Sequence, residues 1–371
     1  MSLFLLVLLY IYIAIVVIQF VYYIFIFGKF SFAKKSAETK TANLPISVIV
    51  CAKNEQDNLQ KLIPLLLQQN YPDFELILID DASSDDTRDI LEEFEKENAK
   101  IKLVKVENNE AFWGNKKFAL TLGIKKATKN HLLFIDADCE PNSQHWITEM
   151  TSQFTNQKTI VLGYGAYKKE DGFLNKLIRF ETLFTATQYF GWAKSGKPYM
   201  GVGRNLAYKK DEFFKTNGFI NHIKIRSGDD DLFINEASTK ENTTISFSEQ
   251  SFTYSEAKQN YADWIMQKRR HVSTAKFYKT FDKAQLSLLY FTQLLVLILP
   301  IILLVNSFET VIVLAVLSFR YLFCWISLGF AAAKLNEKDV LYFYPILEII
   351  LIFTQLNVFI KNIFSKPVTW K

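Results

Sequence analysis

The segment His131-Leu132-Leu133-Phe134-Ile135-Asp136-Ala137-Asp138-Cys139-Glu140 ends a short apolar run with two carboxylates one residue apart. On a strand, this spacing puts both side chains on one face. At the carboxyl end of a strand, where open α/β sheets bind ligands, the pair can hold a divalent cation. Carboxylate oxygens suit Mg²⁺ or Mn²⁺, ions commonly shared with substrate phosphates. The chemistry implied is transfer from a phosphorylated donor. Asp-x-Asp also occurs in plain surface turns, so the surrounding elements have to decide.

Those elements alternate. From Pro45 onward the pattern predicts strands at 46–52, 74–79, 102–106 and 132–135, with helices at 58–69, 87–97 and 116–127 between them. Strands spaced in this way and separated by helices predict a parallel sheet covered on both faces. Three strand ends then carry acids: Glu55 after the first, Asp80 and Asp81 after the second, Asp136 and Asp138 after the fourth. Like charges gathered on one edge repel unless cations or ligand hydroxyls use them, and carboxylates accept hydrogen bonds from ribose hydroxyls and base N–H groups. A simpler reading makes 80–86 a capped polar turn. No Gly-x-x-x-x-Gly-Lys-[Ser/Thr] loop is present, which disfavours P-loop chemistry. Gly201-Val202-Gly203 lacks a third glycine and does not follow the first strand, which argues against dinucleotide binding.

Half of the 371 residues are apolar, and 33 are Phe, a heavy load for a soluble protein. The apolar residues concentrate at 3–27, 286–305, 311–333 and 340–360, runs long enough to span a bilayer. The layout is an anchor at 1–28, a soluble domain at 45–285 and membrane segments, two or three in number, at 286–360. The first run lacks a basic n-region and exceeds a signal peptide's apolar core, so an uncleaved anchor is expected. Lys29, Lys34, Lys35 and Lys40 follow it, which places the soluble domain on the cytoplasmic side of the inner membrane. Three further crossings would then put Lys361, Lys366 and Lys371 outside, against the same rule; 340–360, with Pro345 and Glu348, is therefore a candidate re-entrant or interfacial segment. Arg320 must face protein or water. Cys51, Cys139 and Cys324 are scattered and fit a reducing compartment. The net charge of +5 gives no nucleic-acid footprint, and four His without i,i+4 spacing give no zinc site.

Taken in order, these segments resemble family-2 glycosyltransferases of the GT-A fold, especially bacterial membrane-anchored members, over roughly 45–279. Ile46-Ser-Val-Ile-Val-Cys-Ala-Lys-Asn-Glu55 is similar to the family's opening strand, and Leu76-Ile-Leu-Ile-Asp80-Asp81-Ala-Ser-Ser-Asp85-Asp86-Thr87 to its second signature. The resemblance implies nucleoside contacts at Glu55 and Asp81, with Asp80 beside them. It also implies a basic segment near the donor diphosphate at Gly114-Asn115-Lys116-Lys117, served by Lys116 or Lys117, and a metal-binding pair at Asp136 and Asp138, with Asp136 close to the nucleotide. Tyr199-Met-Gly201-Val-Gly203-Arg204-Asn205 resembles the segment lining the acceptor side, where glycine lets backbone approach the sugar; a Gly-rich bulge is the plainer alternative.

Ser227-Gly228-Asp229-Asp230-Asp231-Leu232 resembles the family's Glu-Asp motif. There an Asp removes the proton of the acceptor hydroxyl as the new bond forms, while the metal neutralises charge growing on the departing diphosphate. Asp230 is the first choice for the base, with Asp229 beside it; acids favouring a helix N-terminus are a compatible alternative. Gln267-Lys268-Arg269-Arg270-His271 resembles Gln-x-x-Arg-Trp, and bidentate pairing explains an Arg at the diphosphate. His271 stands where processive synthases carry a stacking Trp, which disfavours polymerisation.

The implied protein is a membrane-bound inverting transferase. It would move a sugar from a nucleotide-diphosphate sugar, most often a UDP-sugar in this family, to a lipid or lipid-linked acceptor. Rival readings are a processive polysaccharide synthase and a catalytically silent membrane scaffold. Aromatic and basic residues at 173–190 and 261–281, among them Phe173, Leu177, Phe184, Trp264, Lys176, Lys268 and Lys276, suggest headgroup contact, or ordinary core-facing helices.

Overall fold

The computed structural model describes residues 2–34, 43–107, 116–225 and 227–365. Lys35, Lys40, Gly114, Asn115, Lys366 and Lys371 lie outside the described residues. The chain opens with helix α1 (Ser2–Phe20), which passes through a π-helical stretch, Val21–Phe27, into α2 (Gly28–Ser31). The sheet domain then runs β1 (Ile46–Ala52), α3 (Gln56–Leu67), β2 (Phe74–Asp81), α4 (Thr87–Glu97), β3 (Ile101–Val106), α5 (Lys116–Lys126) and β4 (His131–Phe134). This is the expected alternation, with bounds shifted by one or two residues. Every residue of β1 and β2 is buried, as the continuous β-branched runs of a doubly covered sheet require.

Beyond β4 come β5 (Cys139–Pro141), α6 (Trp146–Thr151), β6 (Ile160–Leu162), β7 (Gly165–Tyr167), α7 (Phe173–Lys194), β8 (Leu206–Lys209), α8 (Lys210–Lys215), α9 (Asp231–Ala237), β9 (Thr243–Ile245), β10 (Thr253–Ser255) and α10 (Tyr261–Val272). The main sheet has the order β3-β2-β1-β4-β8-β6-β9, and β5-β10-β7 form a smaller one. The main sheet is mixed rather than parallel throughout, because β8 runs antiparallel to both β4 and β6. A four-residue strand alternates identically in either direction, so its sequence carried no sign of its orientation. The parallel register sets Ala52 beside Asp80 and Ile49 beside Phe134. The acids that follow β1, β2 and β4 therefore emerge on one edge.

Three long helices close the chain: α11 (Thr280–Val305), α12 (Thr310–Lys334) and α13 (Tyr344–Phe364). Among the described residues, four helical stretches are long and apolar enough to cross a membrane: Leu3–Ser31, Thr280–Val305, Thr310–Lys334 and Lys338–Phe364. The apolar core on one face of the sheet, with Ile49, Ile77 and Leu206, continues through α7 into these helices without a break. Leu177, Phe184 and Trp264 lie in that core rather than at a headgroup layer, whereas Phe173 is exposed.

Arg320 faces protein. Its Nε donates to Gln19 Oε1 at 2.9 Å, Nη1 donates to Glu348 Oε2 at 2.6 Å, and Nη2 pairs with Glu348 Oε1. The helix α13 keeps both ends against the sheet domain. Just ahead of it, Asp339 accepts from Arg179 at 2.7 Å and Lys169 at 3.1 Å. At its far end, Arg269 of α10 donates to Asn362 at 3.0 Å and to the Ser365 hydroxyl at 2.7 Å. Twenty-one residues span about 31 Å, a length that carries a crossing helix away from the domain. Here it runs alongside.

Candidate active site

The turns after β1 and β2 are interlocked. Asn54 and Ala82 adopt φ of 55° and 54°; the Asn54 N–H donates to Ser83 Oγ at 3.0 Å, and the Ser84 N–H to Asn54 Oδ1 at 2.8 Å. The Glu55 N–H donates to Thr87 Oγ1 at 2.8 Å. Glu55 accepts from Asn58 at 2.6 Å; burial, and then the charges of Asp138 and Asp136, push its pKa up. Asp81 is buried, and its Oδ2 has no hydrogen-bond partner among the described residues. Burial raises its pKa and nearby Lys53 opposes the rise. Asp80 is different: fully buried, it accepts from Arg88 Nε at 2.9 Å and the Ser83 N–H at 3.0 Å. Asp80 builds the turn, while Asp81 is left with unused acceptor capacity.

Lys116, at the start of α5, bridges the acid that follows β4 and one ahead of α9, with Nζ 2.7 Å from Asp136 Oδ1 and 3.4 Å from Asp229 Oδ2. Burial works against its charge, but the two carboxylates outweigh it and hold the amine well above its usual range. Burial likewise disfavours ionised Asp136, and Lys116 outweighs that to give a net fall. Asp138 keeps an open surface at the rim; protein packed about its carboxyl and then the charge of Asp136 raise its pKa. A narrow pocket between these groups is lined by Cys51, Lys116, Asp136, Gly203, Asp229 and Asp230. Lys117 points elsewhere. Its buried Nζ donates to the carbonyls of His222, Ile225 and Ser227 at 2.8–3.0 Å, and burial brings it down to about 8. It anchors the segment leading to the aspartates, so of the two lysines Lys116 alone lines the pocket.

The three consecutive aspartates divide their work. Asp230 caps α9, accepting from the Asp231 N–H at 2.8 Å and from the Gly203 N–H at 2.6 Å. Burial, and then the charges of Asp229 and Asp231, push its pKa up to about 7. Asp231 accepts from the Leu232 N–H at 2.7 Å, the Tyr278 hydroxyl at 2.6 Å and the Thr274 hydroxyl. One turn on, Asn235 donates to Asp282 at 2.9 Å and accepts from the Lys279 N–H at 2.9 Å. The helix that presents Asp230 is thereby joined to the first turn of α11. Thr274, Tyr278 and Asp282 were not singled out from the sequence, because isolated residues beside a membrane segment follow no spacing.

Gly203 approaches Asp230 closely, and a Cβ there would lie 3.4 Å from its carboxylate. Arg204 donates to Ser255 at 2.8 Å, lies over the Tyr167 ring at 4.4 Å and acts on both Asp136 and Asp138. Asn205 does not reach the pocket: it accepts from Trp146 at 3.1 Å and donates to the carbonyls of Tyr164 and Ser251 at 2.9 and 2.7 Å. Arg269 is likewise spent on α13. Arg270, however, acts on Asp136. His271 is exposed on one side, and the protein packed about its ring, with the cations Lys268, Arg270, Arg204 and Lys116, pushes its pKa well down; this helix brings positive charge to the Asp-x-Asp edge. Gln267 Oε1 is buried without a partner among the described residues.

Two adjacent carboxylates are too few for an all-protein cage, and no group of three or more His, Cys, Asp or Glu converges as a metal site among the described residues. The set does suit an ion whose remaining ligands come from phosphate and water, as Mg²⁺ and Mn²⁺ accept.

This edge, with its mixed sheet, belongs to the GT-A class of α/β fold. A mannosyltransferase from Pyrobaculum calidifontis, solved with GDP-Man and Mn²⁺, superposes with a TM-score of 0.56 at 15% identity, covering 88% of this chain and 99% of that one. Residues 47–216 match the family model Glycosyl transferase family 2, which marks this segment as a family-2 glycosyltransferase domain. A 4,4'-diaponeurosporenoate glycosyltransferase from Staphylococcus haemolyticus is 29% identical over 52% of this chain and 50% of its own length. A UDP-Glc:alpha-D-GlcNAc-diphosphoundecaprenol beta-1,3-glucosyltransferase from Escherichia coli is 26% identical over 35% of this chain and 48% of its own. The chain thus spans about half the length of these curated relatives.

Proposed function

We propose that the protein transfers a sugar from a nucleotide-diphosphate sugar to a lipid or lipid-linked acceptor, with inversion at the anomeric carbon. The observation that carries this reading is the convergence of Lys116, Asp136, Asp229 and Asp230 on one pocket, flanked by Glu55 and Asp81. Asp81, with an unused buried oxygen, and Glu55 would receive the nucleoside. Lys116, Arg204 and Arg270 bring positive charge to where the diphosphate would lie, and Gly203 leaves room for the sugar. Asp138 with Asp136 would hold Mg²⁺ or Mn²⁺, which supplies charge neutralisation to the leaving diphosphate.

Asp230 would take the acceptor's proton. Its carboxylate is fixed by two backbone N–H groups, and a pKa near 7 suits a base working at neutral pH. The neighbouring Asp229 is already paired with Lys116. A domain at 45–285 facing the cytoplasm across the inner membrane would give a lipid acceptor access along the membrane helices. Single transfer is favoured over polymer synthesis because His271 offers no indole for stacking. The test is release of nucleoside diphosphate from a panel of nucleotide sugars by the purified protein in lipid, with Mn²⁺ and then with chelator. Chelator-sensitive release from one donor is expected. No release from any donor with total membrane lipid supplied would favour the silent scaffold, and a ladder of products would favour the processive reading.

A further inference from the structure

We propose that an anionic phospholipid surface docks on the basic patch formed by Lys197, Lys276, Lys279 and Lys283 around Phe277 and Phe281. All four lysines are exposed, as are the two rings, at 50% and 47%. The groups converge from separate segments. Lys197, just past α7, places its amine 3.9 Å from the Phe281 ring centroid, and Lys276 sits 4.9 Å from that of Phe277. Lys283 donates to the Lys276 carbonyl at 3.4 Å, and both Lys279 and Lys197 act on the buried Asp282 beneath. That carboxylate is already taken by Asn235 at 2.9 Å. The patch therefore presents excess positive charge outward.

Position along the chain identifies the occupant. The patch lies at the start of the apolar stretch Thr280–Val305. Phe281 begins an exposed stripe that continues through Leu288, Phe291, Ile298, Ile301 and Val305, the spacing of a lipid-facing helix side. A surface continuous with that stripe sits at headgroup depth, where aromatic rings favour the interface and lysines meet lipid phosphates. Phosphate alone would satisfy the lysines but leave Phe277 and Phe281 in water. Tyr278, between the exposed Lys276-Phe277 and Lys279, turns inward to Asp231, so lipid docking would bear on the turn that holds the helix of Asp230.

The test reads lipid binding, which does not depend on the glycosyltransferase reading. The full chain in mild detergent receives phosphatidylglycerol or phosphatidylcholine, and retained lipids are counted by native mass spectrometry. Preferential retention of phosphatidylglycerol is expected. It should weaken about tenfold or more in the quadruple variant K197Q/K276Q/K279Q/K283Q, since each lysine at an anionic surface contributes about 1 kcal/mol, roughly fivefold. It should persist in the corresponding four-arginine variant and in K61Q/K96Q/K125Q/K126Q, which removes the same charge from exposed positions of α3, α4 and α5 outside the patch. Unchanged preference in the first variant would overturn the proposal, as would equal loss in the distant one. Competition by inorganic phosphate at equal concentration would overturn the lipid assignment.

Discussion

Replacing Glu348 by Gln keeps the side chain's size while leaving Arg320 charged. The pair is enclosed, with side-chain exposures of 3% and 0%, so the small value of solvent-screened surface pairs does not apply. After the change the guanidinium keeps Gln19 Oε1 at 2.9 Å as its remaining charge-free acceptor, together with the new amide oxygen. Breaking one side of a buried pair costs about 3–5 kcal/mol, a large share of the roughly 5–15 kcal/mol that holds a folded protein together. With about 2.1 cal/mol/K of unfolding entropy per residue, a chain of 371 residues shifts by about 1.3 °C per kcal/mol, so the midpoint should fall by roughly 5 °C. The assay is survival of the monodisperse size-exclusion peak after heating in detergent. Arg320→Leu combined with Glu348→Leu should recover most of the loss, because apolar replacement of both partners removes the stranded charge. A Glu348→Gln protein as heat-stable as the parent would refute the reasoning, as would a double variant worse than either single one.

Asp230→Asn should keep donor binding and lose transfer by about 10²-fold or more, measured as product formed at saturating donor; if only Asp229→Asn does this, the base is one residue earlier. Because the base acts in its charged form and Asp230 is raised to about 7, transfer should increase as pH rises through that value, and a flat profile between pH 6 and 8 would exclude it. Asp138→Asn should abolish the Mn²⁺-dependent part of donor affinity, read by calorimetry, while thermal stability holds; unchanged affinity in Mn²⁺ would remove Asp138 from the metal's ligands. Tyr278→Phe takes one hydrogen bond from the Asp231 carboxylate, worth about 1.5–3 kcal/mol, and should lower kcat for transfer more than the KM for donor. Since Arg269 holds Asn362 and Ser365, a cysteine introduced at Ser365 should label from the same membrane side as one introduced at the exposed Lys61; labelling from opposite sides would mean that α13 crosses.

What could be read from the sequence followed from repetition. The β1–α3–β2–α4 alternation is written in long apolar runs and helical spacing, so strand ends and their acids could be placed within a residue or two. Asp136, Asp138, Asp229, Asp230 and Lys116 were named and do converge. The residues that turn away from the pocket share a cause. Lys117, Asn205, Arg269 and Asp80 have the side chains that bind anions or sugars, and they stand beside residues that line the pocket. Which of two neighbours points inward depends on helix phase and on distant carbonyls, such as those of His222 and Ser251, that adjacency in sequence does not reveal. The short strands β6 to β9 carry too few residues for a period. The Arg320–Glu348 pair joins two segments in which each charge, taken alone, looked like an obstacle to membrane insertion.

The Asp231–Tyr278 and Asn235–Asp282 bonds bear on where this protein can be divided. A fragment cut ahead of Thr274 would strip Asp231 of both hydroxyl partners, and one cut at Lys279 would still leave Asn235 without Asp282. Removing the last helices would also bare Arg179, whose guanidinium is bonded to Glu337 at 2.6 Å. The helices at the chain ends are therefore structural walls of the sheet domain. Activity assays belong on the whole chain in lipid, since a trimmed soluble piece would present its aspartates on an unsupported helix.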